Sequence, residues 1–158
     1  MGLKINWAKV VVVLVVVCIT AAGWWLISGP HQTEGFGIFL VDKNELVISD
    51  REIIVYNGSS HEIILTEKGT TKIENLSSRV SLDGIAFVLR IKGENIYGGM
   101  FWSPISSLPC SEVVIQTLVR NNSIQIAAGY PHSAFQGEDP RNNSTIFNYF
   151  KSVGKLAN

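Results

Sequence analysis

Val10 to Ile27 is a run of eighteen residues with no charge and no proline, preceded by Lys4 and Lys9. Coiled as a helix at about 1.5 Å per residue it is roughly 27 Å long, close to the hydrocarbon thickness of a bilayer. The stretch from Val10 to Ile19 is apolar on every face, so it has no polar stripe with which to lie along a membrane surface. Trp7 stands at one edge and Trp24-Trp25 near the other, where amphipathic rings sit among headgroups. Lys4 and Lys9 precede the run, whereas the first charge after it is Glu34. The positive-inside rule therefore predicts a short cytoplasmic N-terminus over residues 1–9, an anchor over 10–28 in contact with lipid, and everything beyond on the far side.

A cleaved signal peptide is the rival reading, with Thr20-Ala21-Ala22 as the small residues of a cleavage site. Apolarity continues through Trp24-Trp25-Leu26-Ile27, which suits an uncleaved anchor better. Both readings put the rest of the chain outside. A lipoprotein is disfavoured because Val17 precedes Cys18 where a small residue is wanted. Asn-x-Ser/Thr acceptors occur at five positions: Asn57, Asn75, Asn121, Asn142 and Asn143. Eleven Asn and twenty-two Ser or Thr in 158 residues give about one and a half by chance, although both residue types also favour turns. The two cysteines, Cys18 in the apolar run and Cys110 beyond it, make no disulfide framework and no CxxC metal site.

Residues 29–35, Gly-Pro-His-Gln-Thr-Glu-Gly, read as a linker, and residues 36–158 are long enough for one domain with its own core. Without Lys4 and Lys9 the balance is 11 basic against 13 acidic residues, with no basic run interleaved with aromatics. That argues against a nucleic-acid binder and against a polybasic lipid surface. Phe36–Val41 reads as a strand, continued by or paired with Glu45–Ile48. Ser49 followed three residues later by Glu52 is a capping-box pattern, predicting one helical turn through Val55. Glu62–Leu65 reads as a strand and Thr66–Ser78 as a helix with Ile73 and Leu76 inward, Gly69 counting against it. Ile85–Ile91 and Asn95–Phe101 flank Lys92-Gly93-Glu94 as a hairpin, and Val113–Leu118 pairs with Ser123–Ala128 across Asn121-Asn122. A final helix is expected over Thr145–Val153, ended by Gly154. The expected class is α+β: a mostly antiparallel sheet with two helices against one side.

Ile63-Ile64-Leu65, the helix entry Thr66-Glu67-Lys68-Gly69, the Ala86–Ile91 strand, the Gly93-Glu94 turn, Ile96, Pro104-Ile105-Ser106 and Val113-Val114-Ile115 follow one another in a recognisable order. In that order Ile63–Ile115 resembles a unit in the extracytoplasmic head of the SecD subunit of the protein-export machinery. The likeness covers about a third of the chain and implies a small head that binds protein or peptide. SecD proteins carry several membrane helices and this chain has one such run, so a motor role is not implied. As a whole the chain also resembles single-anchor extracytoplasmic proteins of unknown function of archaeal type.

No nucleophile–base motif is present: His31, His61 and His132 lie outside any G-x-S-x-G, H-E-x-x-H or H-x-E context. Adjacent strand residues point to opposite faces, so His61 and Glu62 are poorly placed to share a metal. Gly98-Gly99 precedes a strand and not a helix, so it is no phosphate loop, and nothing calls for a cofactor. Glu138, Asp139 and the Asn142 amide are the oxygen donors available to a hard cation such as Ca²⁺, without the spacing of a calcium loop. The plainer reading is that Asp139-Pro140 sets a turn, Asn143 or Ser144 caps the helix and Arg141 pairs with Glu138. Phe101, Trp102 and Pro104 are the candidate partner surface, although Phe101 and Trp102 point oppositely and one of them belongs in the core. The expectation is an anchored extracytoplasmic binding domain whose partner is an envelope or membrane protein. The alternative is an extracytoplasmic hydrolase or carbohydrate-acting enzyme using Glu138 and Asp139.

Overall fold

A computed structural model describes residues 35–157. The expected anchor over 10–28, and the linker before Gly35, lie outside these residues. Among the described residues no helix is long and apolar enough to cross a membrane.

The described residues form a mixed α+β fold with one nine-stranded sheet and two α-helices. β1 (Phe36–Leu40) pairs antiparallel with β2 (Glu45–Ser49). The capping box then forms as its spacing predicts, with the Ser49 hydroxyl accepting from the Arg51 amide and Glu52 reaching back to the Ser49 amide. The turn it opens is only a 3-10 turn over Asp50–Glu52, where a turn through Val55 was expected. The β-branched run Ile53-Ile54-Val55 prefers extended backbone and becomes β3 (Ile53–Asn57).

β4 (Glu62–Leu65) leads through Thr66 into α1 (Glu67–Ser77), where the Thr66 hydroxyl caps by accepting from the Gly69 amide. Gly69 is in this helix for packing. A Cβ there would lie 2.9 Å from the Glu52 carbonyl oxygen, so glycine lets the helix close on the 3-10 turn. β5 (Ile85–Ile91) and β6 (Glu94–Trp102) form the expected hairpin, with Lys92 and Gly93 at φ 51° and 84°. β7 (Cys110–Gln116) and β8 (Ser123–Tyr130) are joined through Asn121 and Asn122, both left-handed, and closed by a bridge between Arg120 and Ser123. Asn143 caps α2 (Ser144–Ser152), and β9 (Leu156–Ala157) follows.

The strand order is β2-β1-β5-β6-β7-β8-β4-β3-β9. Six neighbouring pairs are antiparallel, while β6–β7 and β3–β9 are parallel. Both helices give their apolar residues, Ile73 and Leu76 from α1 and Ile146, Tyr149 and Phe150 from α2, to one core cluster. Alternate strand residues complete it, among them Phe36, Ile38, Phe87, Leu89, Ile115, Ile124 and Ile126. By strand alternation the intervening residues form the opposite face of the sheet.

Candidate binding groove

The partner surface expected at Phe101 and Trp102 is absent at those side chains, because both are buried, at 0% and 4% exposure. Phe101 joins the main core 5.3 Å from the Phe87 ring. Trp102 points the other way, into a second cluster with Cys110 and Val114. The physical reason is the parallel pairing of β6 with β7. It obliges residues 103–109 to run back along the sheet, and Trp102 and Cys110, at the two ends of that crossover, are buried together. Of the expected trio only Pro104 is exposed. The wet apolar side chains are its neighbours Ile105 and Leu108, beside Leu82, whose carbonyl accepts from the Ser106 hydroxyl. Gly99 does permit close backbone approach, since a Cβ there would collide with the Val113 carbonyl oxygen.

The Glu138–Asp139 region is tied to the fold through Arg141, whose partner is Asp139 and not Glu138. Asp139 accepts the Arg141 amide at 3.0 Å and its Nε at 2.8 and 3.1 Å, while Arg141 Nη1 donates to the Ile126 carbonyl at 2.8 Å. The guanidinium holds the Asp139 carboxyl below the usual carboxylate range. Its oxygens are therefore occupied, and a cation would have to displace Arg141 to use them. Glu138 and Asn142 are exposed beside this pair. Among the described residues no three His, Cys, Asp or Glu side chains come together as a metal site.

His61 is buried and left-handed at φ 55°, with Nδ1 2.8 Å from the Tyr56 hydroxyl. Burial, reinforced by the nearby Arg141 charge, lowers its pKa, and burial raises that of Tyr56 to about 12. The imidazole is a neutral structural partner of the phenol. His132 is exposed on a 3-10 turn, and His31 lies outside the described residues.

The opposite face of the sheet has a concave strip that no single segment of sequence announces. A groove of about 530 Å³ is lined by Glu62 and Ile64 from β4, Gln116, Leu118, Arg120 and Asn121 from β7 and its turn, and Ser123 and Gln125 from β8. Register builds it: Glu62 stands opposite Gln125 and Ile64 opposite Ser123. The Ser123 hydroxyl donates to the Glu62 carboxylate, and the Gln125 amide to the Ser60 carbonyl. Ile64 and Leu118 stay 39% and 41% exposed within this polar frame. The set offers one carboxylate, one guanidinium, three amides, a hydroxyl and two aliphatic side chains. The Ser123 hydroxyl and the Glu62 carboxylate are engaged with each other, and the amides, the two opposite charges and the two aliphatic side chains are groups suited to recognition. Sequence reasoning missed the groove because β4–β8 pairing joins residues sixty apart. The available signal was the alternation of Glu62, Ile64, Ser123 and Gln125 with inward Ile63, Leu65, Ile124 and Ile126.

Comparison with protein-family models, with curated proteins and with solved structures brought no match to this chain.

Proposed function

We propose that this chain is a membrane-anchored extracytoplasmic binding module, held by a helix over residues 10–28 with its N-terminus in the cytoplasm. It acts by holding an extended segment of an envelope or exported polypeptide in the groove of β4, β8 and β7. One observation carries the reading. Both helices cover the same face of the sheet, and the other face keeps a concave strip where exposed Ile64 and Leu118 stand among amides and a charge of each sign. A polypeptide offers the matching set: peptide donors and acceptors for Gln116, Gln125 and Asn121, and aliphatic side chains for Ile64 and Leu118. No aromatic ring is among the lining residues, so a planar ligand has nothing to stack on. The resemblance of residues 63–115 to a SecD-type head supports the same class of partner.

The test is a detergent extraction of the full-length tagged chain from its native membranes, beside Leu118→Arg and Glu74→Ala. Glu74 is exposed on α1, away from the groove. The reading predicts one stoichiometric partner that survives Glu74→Ala and is lost with Leu118→Arg. A partner retained by Leu118→Arg refutes the groove, and recovery of the chain alone refutes the binding reading.

A further inference from the structure

Four of the five acceptors are Asn-x-Ser and Asn143 is Asn-Ser-Thr, and the fold makes them unequal in reach. Transfer of a glycan needs the acceptor amide and the hydroxyl two residues on to be reachable together. Asn57 uses its side-chain oxygen to accept the Ser59 and Ser60 amides, both at 2.9 Å. Asn75 is fixed inside α1, and its Ser77 hydroxyl accepts from Thr117 at 3.3 Å. At Asn121 the Ser123 hydroxyl is bound to Glu62. Asn143 is the cap of α2, its side chain accepting the Thr145 amide at 2.8 Å. Asn142 differs. Both Asn142 and Ser144 are exposed, and among the described residues neither side chain makes a hydrogen bond.

We propose that Asn142 is the N-glycan acceptor of the folded protein and that Asn121 stays bare. The proposal rests on the extracytoplasmic placement above. The donor class is a glycan linked through phosphate or pyrophosphate to a membrane lipid, delivered by a transferase. Asn142 Nδ2 forms a bond to the anomeric carbon, the carbon–oxygen bond to the lipid phosphate breaks, and the amide proton leaves to a base of the transferase. No electrons change hands. A bare Asn121 is also what the groove requires, because that residue lines it and a glycan there would fill it.

Tryptic cleavage after Arg120, Arg141 and Lys151 puts the two acceptors on separate peptides, 121–141 and 142–151. The experiment is mass mapping of the full chain purified from the membranes of its source, carrying an added C-terminal Asn-Gly-Thr reporter. Asn142→Gln and Asn143→Asp are run beside it, the second keeping a helix cap while abolishing its own acceptor. The expected result is a glycan mass on peptide 142–151, kept in Asn143→Asp, lost in Asn142→Gln, and absent from 121–141. A modified reporter with a bare 142–151 overturns the proposal and leaves the extracytoplasmic placement standing. A bare reporter with a bare 142–151 overturns the proposal, and protease shaving of intact cells then decides the placement separately. A glycan on Asn121 overturns both the proposal and an open groove.

Discussion

Substitution Glu52→Gln keeps the shape of a side chain that is 3% exposed and removes its charge. The carboxylate accepts the Ser49 amide at 3.0 Å and the Ser49 hydroxyl at 2.6 Å, with Lys72 at 3.1 Å and Lys68 at 3.5 Å. Burial alone would raise its pKa; the Ser49 bonds and Lys72 outweigh that and hold it at about 2. Measured from the ordinary 4.5, at about 1.4 kcal/mol per pH unit, the charge-dependent stabilisation is about 3.5 kcal/mol. Lys68 is 77% exposed and Lys72 33%, so solvent screening brings the expected loss in Glu52→Gln to about 2 kcal/mol. The sign follows from the direction of the shift. The folded state holds this proton more weakly than the unfolded chain, so the stabilisation is complete above pH 4.5 and disappears as pH falls toward 2. Urea denaturation of the 33–158 unit, whose core is its own, measures both effects across pH 7 to 2.5. Stability of Glu52→Gln within about 0.5 kcal/mol of the parent at pH 7, with the parent's acid slope intact, would refute this account of the turn.

Three further outcomes are expected in the same assay. Gly69→Ala should destabilise by about 1–3 kcal/mol despite alanine's higher helix propensity, because the new Cβ would lie 2.9 Å from the Glu52 carbonyl; a gain in stability contradicts the tight approach. Trp102→Phe should cost under about 1.5 kcal/mol, since Trp102 Nε1 is buried without a partner among the described residues, whereas Trp102→Ala should cost about 3–5 kcal/mol; equal losses would mean that the indole N–H is bonded after all. His61 is neutral in the fold with its pKa below 6.5, so the unfolded chain takes up the proton first and stability falls as pH drops below 6.5. His61→Asn, which tolerates the left-handed backbone, should remove that part of the slope, and an unchanged slope places its origin elsewhere.

What the sequence made legible was local. Lys92-Gly93 between alternating apolar runs predicts the β5–β6 hairpin, Thr66 predicts the start of α1, and Gly154 at φ 70° ends the final helix as expected. Ile73 and Leu76 of α1 pack inward as their spacing puts them, while Val153, at the end of the expected final helix, is exposed. What was hidden depends on pairings between distant segments. The parallel β6–β7 contact turns Trp102 from a candidate surface into core, and nothing within Gly98–Pro104 announces a parallel neighbour. The two-residue β9 is held by its parallel pairing with β3, a contact no local pattern reveals. At Glu138–Arg141 the residue types were read correctly and the partner was not. A turn over Pro140 brings the Arg141 guanidinium back onto Asp139, two residues away, and leaves Glu138 in solvent. The groove shows only once β4 lies beside β8, because its eight lining residues are scattered exposed or half-buried positions that register alone brings together.

Site-specific photo-crosslinking asks whether the β4–β8–β7 groove holds a polypeptide partner outside the membrane. A photoactivatable residue replaces Leu118 in the full-length chain in its native membranes, with Glu74 as the comparison position. One discrete adduct is expected from position 118, mapping to an extracytoplasmic segment of another protein, and none from position 74. No adduct from 118, or the same adducts from both positions, would contradict a partner in the groove.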